Sequence, residues 1–225
     1  MGGQACVLYG AAEFSRTADF AILASPENLR RLGSALEELQ AEVIAVPPFQ
    51  VEYLERGHAV HFRCHHPEAE RVRIDVMAKL RGVDPFPALW ERRSTWTLPE
   101  GIEIDTLSLP DLVASKKTQR DKDWPMVRRL LEVSYEEGFA SPTPEQIRFW
   151  LREIRTPEAL LEVVARHPQE ARAEAPSRSA IKAALDGELR EVEDQVAEEE
   201  RRERGADQAY RQPLLAELEA LRRGR

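Results

Sequence analysis

The sequence predicts an α+β fold, in which a mixed β-sheet flanked by helices is followed by an all-helical C-terminal region. Short β-rich runs separated by Pro, Gly or charged turns fill residues 19–107, whereas periodic segments after Ser108 have a spacing near 3.6 residues. The motif Ser108-Leu109-Pro110-Asp111 has the form of a capping box and marks the change. We therefore expect an α/β core over 1–107, a helical subdomain over 108–166, a linker over 167–179 and a charged helical hairpin or arm over 180–225.

Composition indicates an intracellular globular protein. The 225 residues are 42% hydrophobic and 32% charged, which is too apolar for a disordered chain. No apolar run approaches the roughly 18 residues of a membrane helix, and residues 1–10 lack a basic segment leading into an apolar one, so we expect no membrane association. With only Cys6 and Cys64 no disulfide framework is indicated, and we expect a cytoplasmic location. The net charge of −8 argues against broad electrostatic capture of nucleic acid.

The first half begins with a helix, a strand and a second helix. Gly2 and Gly3 precede a short helix-compatible run, which Gly10 ends. Residues 19–24 predict a buried strand, and Ser25-Pro26-Glu27 then starts a helix whose leucines recur at helical spacing. Five further strands are predicted, all expected to join one mixed sheet: Val43–Val46, Val51–Leu54, His58–Cys64, Arg71–Met77 and Ile102–Leu107.

The second half contains only helical periodicities. Four helices are predicted, at 109–120, 124–137, 143–153 and 157–166. A segment rich in Ala, Pro, Ser and Glu follows and predicts the linker. Beyond it, two apolar stripes at 181–196 and 214–221 would let two amphipathic helices pair as a hairpin.

Two strand-borne aspartates are the candidate catalytic and metal-binding residues. Asp19 starts a predicted buried strand, with Arg16 and Thr17 just before it, and a charge in that position needs a partner. Asp75 lies on a strand whose alternation places Arg73 and Asp75 on one face and the apolar residues on the other. If the two carboxylates converge, they suit Mg²⁺, a hard ion that takes few carboxylates and keeps water or phosphate oxygens.

Phosphate-binding groups are predicted on either side of these aspartates. The backbone N–H groups of Gly2 and Gly3 at a helix N-terminus favour a phosphate. Downstream, Lys116, Arg120 and Asp123 would share one face of a continuous helix, where two cations and an orienting acid suit a triphosphate. Such charges are also common on solvated helix faces, and that interpretation stays open.

Together these motifs resemble the nucleotidyltransferase superfamily of DNA polymerase β-like fold, in particular its bacterial AbiEii/AbiGii-type abortive-infection toxins. The family pattern is a glycine pair, then Thr-x-Asp-x-Asp, a third acid on a later strand, and a Ser-Lys helix followed by an Arg-x-Lys-Asp stretch. The matching elements are Gly2-Gly3, 17–21, Asp75, Ser115-Lys116 and 120–123. The resemblance covers about residues 1–135.

The resemblance implies a nucleotidyltransferase-like core with an Mg²⁺-dependent transfer of an NMP from an NTP to a hydroxyl of RNA, protein or a small molecule. It implies Mg²⁺ on Asp19 and Asp75, with Lys122 and Asp123 as supporting residues. It also implies that the phosphates of the NTP are bound by Gly2, Gly3, Arg16, Thr17, Lys116 and Arg120.

Ala21 departs from the family pattern, because the second acid of Thr-x-Asp-x-Asp belongs there. One metal ligand is therefore missing, whereas two-metal catalysis clamps both the attacking and the leaving oxygen. The alternative function is a catalytically degraded member that binds a nucleotide or a protein partner without turnover. A third interpretation, a structural helical adaptor, would depend on the C-terminal half alone.

Two other patterns have open alternatives. Four histidines lie between His58 and His66 around Cys64, which invites a zinc site, but their alternation along a strand favours polar strand and turn residues. The charged run 198–204 is either a solvated helix end or part of an arm that binds a protein partner through the C-terminal helices.

Overall fold

The computed structural model describes residues 1–224 and confirms the α+β class. The β-strands, in chain order, are β1 (Thr17–Ala21), β2 (Glu42–Val43), β3 (Val60–Arg63), β4 (Arg73–Met77), β5 (Ser94–Thr97) and β6 (Glu103–Thr106). The helices are α1 (Gly2–Leu8), α2 (Pro26–Glu38), α3 (Val51–Arg56), α4 (Phe86–Glu91), α5 (Leu109–Lys116), α6 (Asp123–Gly138), α7 (Pro144–Glu153), α8 (Pro157–Arg166), α9 (Pro168–Glu174), α10 (Ser179–Leu185) and α11 (Leu189–Arg223).

The chain divides into two compact units. The sheet unit comprises Met1–Leu8, Ala12–Ser115 and residues 208–224, and the helical unit comprises Tyr9–Ala11 and Lys116–Asp207. Residues of α11 up to Asp207 therefore belong to the helical unit, and those from Gln208 belong to the sheet unit. Across residues 1–224, none of the helices is both long and apolar enough to cross a membrane.

The sheet unit is built on a mixed four-stranded sheet in the order β1-β4-β3-β2. The pair β1-β4 is parallel, whereas β4-β3 and β3-β2 are antiparallel. One face of the sheet buries Val60, Phe62, Ile74 and Val76, on which α2 and α3 pack through leucines such as Leu54. Because side chains alternate along a strand, the polar residues between these positions lie on the opposite face.

The predicted strand at Val51–Leu54 is wrong, because these residues belong to α3. The helix ends at Gly57, whose positive φ of 105° lets its N–H bond the carbonyls of Tyr53 and Leu54. Only Leu54 is buried on this short helix. In a six-residue element the alternation of apolar residues does not distinguish a strand from a helix.

The prediction that the run ending at Leu107 joins the main sheet is also wrong. Strand β6 pairs only with β5, in a separate two-stranded antiparallel sheet. Trp96 on β5 donates a hydrogen bond from Nε1 to the Thr106 hydroxyl on β6 at 2.9 Å, which ties the two strands together. Strand β5 and helix α4 are not among the elements predicted from the sequence.

The helical unit follows the predicted periodicity closely in its first half. Helix α7 begins at a capping box in which the Thr143 hydroxyl accepts from the Gln146 N–H and the Gln146 side chain accepts from the Thr143 N–H. The core of the helical unit includes Trp124, Trp150, Leu160 and Ile181, each fully buried. The interior of this unit is therefore apolar and large enough for a core of its own.

The later part of the helical unit is more regular than its composition suggested. Residues 167–179, predicted as a linker, contain α9 and a 3₁₀ turn at Ala175–Ser177. Where a hairpin or arm was predicted, the chain forms α10 and then the single 35-residue helix α11, which contains Pro213. The two apolar stripes therefore lie mainly on successive stretches of helix and do not face each other across a turn.

Candidate functional site

The two candidate aspartates are direct cross-strand partners. In the parallel pairing of β1 with β4, Asp19 is in register with Asp75. Paired residues on neighbouring strands project from the same face, and the strands lie about 4.8 Å apart. Both carboxylates therefore lie side by side on the polar face of the sheet, as the sequence analysis required.

His61 is the third member of this row. It is the register partner of Asp75 on β3, and its Nδ1 lies 2.8 Å from Asp75 Oδ1. Arg73 donates from Nε to the same oxygen at 2.8 Å, and its NH2 group lies 3.1 Å from His61 Nδ1. The Oδ1 atom of Asp75 thus accepts from Arg73 and lies within hydrogen-bond distance of His61, whereas Oδ2 accepts no hydrogen bond from residues 1–224.

These contacts set the charge of Asp75. Burial is the largest single influence and raises the pKa of its carboxyl. The hydrogen bonds and charges of His61 and Arg73 act in the opposite direction and together lower the pKa below its ordinary value. Asp75 is therefore a carboxylate at neutral pH, although only 9% of the residue is exposed.

Asp19 is held by its own strand and by the start of α1. Thr17 donates from Oγ1 to Asp19 Oδ2 at 3.0 Å. A Cβ atom placed on Gly2 would lie 2.2 Å from that same oxygen, and Gly2 has a positive φ of 72°. Only glycine allows this approach without strain, and the phosphate-binding role of Gly2 stays a prediction.

Gly3 is required by a second close approach. A Cβ atom on Gly3 would lie 2.3 Å from Ser15 Oγ. That hydroxyl closes the turn into β1, since it donates to the Thr17 carbonyl at 3.0 Å and accepts from the Thr17 N–H at 3.3 Å. The glycine pair therefore lets α1 lie against both the turn at Ser15, which precedes β1, and Asp19 on β1.

Ala21 occupies the polar face two residues after Asp19. Its register partner on β4 is Met77, so the neighbouring strand places no carboxylate beside position 21. Arg16 precedes β1, and its guanidinium carbon lies 5.8 Å from the centroid of the exposed Phe14 ring. The phosphate-binding role of Arg16 stays a prediction.

The downstream cations belong to the helical unit, where their local arrangement differs from the prediction. Helix α5 ends at Lys116 and α6 begins at Asp123, so Lys116, Arg120 and Asp123 do not share one helical face. Thr118 lies at the centre of the intervening turn. Its hydroxyl donates a hydrogen bond to Asp123, and its carbonyl accepts one from the Trp124 indole N–H. These bonds replace the helical ones that the predicted helix required.

Asp123 has a clear local role in that turn. It is buried and accepts a hydrogen bond from Arg120 Nε at 2.8 Å, which agrees with an acid that orients the cation. Lys122 is exposed and precedes α6. The assignment of Lys116 and Arg120 to phosphate binding, with Lys122 and Asp123 in support, stays a prediction.

The histidine cluster does not converge on one point. His58 is buried against Glu217, and His65 Nε2 lies 3.0 Å from Glu42 Oε1, whereas His61 faces Asp75. Within residues 1–224, no group of three or more His, Cys, Asp or Glu side chains is arranged to hold a metal ion. Any metal at Asp19 and Asp75 would take its remaining ligands from water or a bound substrate.

Sequence reasoning had not assigned a site role to His61 or Arg73. Alternation placed Arg73 on the face of Asp75, which was a usable signal. Nothing in the sequence specified the register of β3 against β4, and a shift of one residue would turn His61 to the opposite face.

Neither a protein-family model nor a curated protein matches the chain.

Proposed function

We propose that the sheet unit binds a magnesium-nucleoside triphosphate and transfers its NMP group, in the manner of the nucleotidyltransferases of DNA polymerase β-like fold. The observation that supports this proposal most directly is the register of Asp19 with Asp75, which sets two carboxylates side by side on the polar face. A cytoplasmic protein of the AbiEii/AbiGii type is the corresponding biological proposal.

The residues fit the ion that the proposal needs. Asp19 Oδ1 and Asp75 Oδ2 accept no hydrogen bond within residues 1–224, so each carboxylate has one oxygen available. Mg²⁺ is commonly bound by one or two carboxylates together with substrate phosphates, and Asp19 and Asp75 would hold it here. When bound, it would supply charge neutralisation at the phosphate oxygens.

The chain's own groups would position the reactants. Thr17 and the backbone of Gly2 fix the orientation of Asp19, and Arg73 with His61 fixes that of Asp75. In the transfer, a hydroxyl group of RNA, protein or a small molecule loses its proton to solvent, and its oxygen forms a bond to the α-phosphorus. The bond from that phosphorus to the bridging oxygen breaks, and pyrophosphate leaves. Positioning and electrostatics supply most of the acceleration in such reactions.

A second candidate, nucleotide binding without turnover, is favoured by two observations. The position of the second acid is Ala21, opposite Met77, and Asp75 is already neutralised in part by Arg73. Two-metal transfer needs both oxygens of the displacement to be clamped, and two carboxylates provide fewer ligands for that purpose. The binding site would be the same in both candidates.

Titration calorimetry with each NTP and Mg²⁺, together with an assay for labelled NMP transfer to RNA, tests the proposal. We expect Mg²⁺-dependent binding that Asp19→Asn abolishes. The matched control is Asp194→Asn, which removes an exposed aspartate from α11. Binding that ignores both Mg²⁺ and Asp19→Asn would refute the site, whereas binding without transfer would select the second candidate.

A further inference from the structure

A second row of polar side chains lies beside Asp19, Asp75 and His61. Thr17 pairs with Arg73 across β1 and β4, and Arg73 pairs with Arg63 across β4 and β3. Each of the three is two residues from a member of the first row, so both rows project from the same face. The first row carries the carboxylates of Asp19 and Asp75 on β1 and β4, and we call it the acidic row. The second carries the guanidinium groups of Arg73 and Arg63 on β4 and β3, and we call it the basic row.

The pairing of Arg63 with Arg73 is electrostatically unfavourable by itself. Like charges directly opposite each other on neighbouring strands destabilise a sheet. Arg73 is compensated by Asp75, whose Oδ1 lies 2.8 Å from its Nε. Arg63 has no such compensation, because its side chain has no hydrogen bond or ion pair to any other residue in 1–224.

A carboxylate is available to Arg63 by register but is used elsewhere. Glu42 on β2 is the cross-strand partner of Arg63, yet its Oε1 lies 3.0 Å from His65 Nε2. The exposed guanidinium of Arg63 therefore keeps its planar set of N–H donors unused by protein groups. That set matches the oxygens of a phosphate in a bidentate geometry.

We propose that Arg63, with Arg73 beside it, is an anion subsite for the polyphosphate tail of a nucleotide. The inference rests on the proposed function in one respect, since Asp19 and Asp75 are taken as the metal-binding end of the same ligand. A metal ion alone would need only the acidic row, and an inorganic phosphate alone would need only the basic row. A metal-polyphosphate matches both rows, because its metal ion suits the carboxylates and its phosphates suit the guanidinium groups. Arg63 lies one strand spacing, about 4.8 Å, beyond Arg73.

The experiment uses sodium tripolyphosphate in the absence of divalent metal, titrated into the full chain by calorimetry at low salt. We expect Arg63→Gln to weaken binding about tenfold, since hydrogen bonds between ions are among the stronger ones. Arg63→Lys should lose less, because it keeps the charge and loses only the bidentate geometry. Circular dichroism of both variants checks the fold.

The matched control is Arg31→Gln, which makes the same change in net charge on α2. Arg31 is exposed and lies on a helix that packs over the opposite, apolar face of the sheet. Binding in this variant should equal that of the wild type. Equal losses in Arg63→Gln and Arg31→Gln, no loss in Arg63→Gln, or no binding of tripolyphosphate by the wild type would each overturn the inference.

The outcome is separable from that of the proposed function. Tripolyphosphate binding that depends on Arg63, in a protein that transfers no NMP, supports the anion subsite and counts against catalysis. NMP transfer with the same KM for NTP in the wild type and in Arg63→Gln supports catalysis and overturns the subsite.

Discussion

His58 Nε2 lies 2.7 Å from Glu217 Oε2, although the two residues are 159 positions apart in the chain. His58 is almost fully buried at the start of the segment that leads into β3, and Glu217 lies near the end of α11. Glu217 also pairs with Arg56 at 2.8 Å. The last turns of α11 are thereby joined to the sheet unit through one carboxylate.

Glu217→Gln should lower the free energy of unfolding by about 1–2 kcal/mol at pH 7, because His58 keeps only a neutral acceptor and Arg56 loses its ion pair. Urea denaturation measures the change. Glu219→Gln is the control, since Glu219 is exposed on the same helix and pairs only with Arg223. An equal effect of both substitutions would show that the contact with His58 contributes nothing specific.

The same carboxylate predicts a pH dependence of stability. The hydrogen bond from His58 is the largest influence on Glu217 and lowers its pKa, an effect that burial opposes and Arg56 reinforces. A pKa lower in the folded state stabilises the fold above the unfolded value of about 4.3, and this stabilisation is lost as pH falls through the folded pKa. Between pH 5 and pH 3, roughly the range of this loss, the unfolding free energy should therefore fall more steeply in the wild type than in Glu217→Gln. Parallel curves would contradict the assignment.

Gly2→Ala should impair nucleotide binding, because the new Cβ would lie 2.2 Å from Asp19 Oδ2 on a backbone with positive φ. The strain costs about 1–2 kcal/mol of stability, and the displaced carboxylate should reduce Mg²⁺-dependent affinity for NTP. Calorimetry and thermal denaturation report the two effects separately. Gly33→Ala is the control, because Gly33 lies on α2 and a Cβ atom there would have no other atom within 4 Å. Since alanine favours a helix more than glycine does, this substitution should stabilise the chain by up to about 1 kcal/mol.

Ala21→Asp should raise the affinity for Mn²⁺ or Mg²⁺ if the register with the family pattern is right, because it adds an acid to the face that bears Asp19. We expect an increase of about tenfold, which corresponds to ~1.4 kcal/mol. Ala21→Asn has the same shape without the charge and should leave the affinity near that of the wild type. Titration calorimetry with the metal alone compares the two variants. An unchanged affinity in Ala21→Asp would show that position 21 does not correspond to the second acid of the family pattern.

Arg178→Met should strongly destabilise the helical unit. Arg178 is buried and donates to the carbonyls of Leu151 and Ile154 at 2.6 and 2.7 Å and to Glu199 at 2.8 Å. Its removal leaves the two carbonyls without these bonds and leaves buried Glu199 with Arg155, 3.5 Å away, as its ion-pair partner, at a cost of about 3–5 kcal/mol. Urea denaturation should show this loss, whereas Arg202→Met at an exposed position should change stability by less than about 0.5 kcal/mol. A small effect at Arg178 would indicate that water replaces its bonds.

The helical elements were predictable to within a few residues where local signals were strong. Helix α8 begins and ends at the predicted Pro157 and Arg166, because proline in the first turn and apolar spacing act within the segment itself. The helix predicted to reach Arg120 ends instead at Lys116, since Thr118 and Asp123 bond to each other and close a turn. A side chain that competes with the backbone in this way is not visible in periodicity.

The sequence by itself determined the fold class and identified Asp19, Asp75 and the glycine pair, because binary patterning and glycine placement are local properties of the chain. Only the tertiary structure decided that Asp19 lies opposite Asp75 and that His61 and Arg73 contact the same oxygen of Asp75. It also decided that no side chain within residues 1–224 pairs with the Arg63 guanidinium. Strand register and strand order depend on the packing of α2 and α3 against one face of the sheet, and a shift of one residue in that packing would have exchanged the two faces.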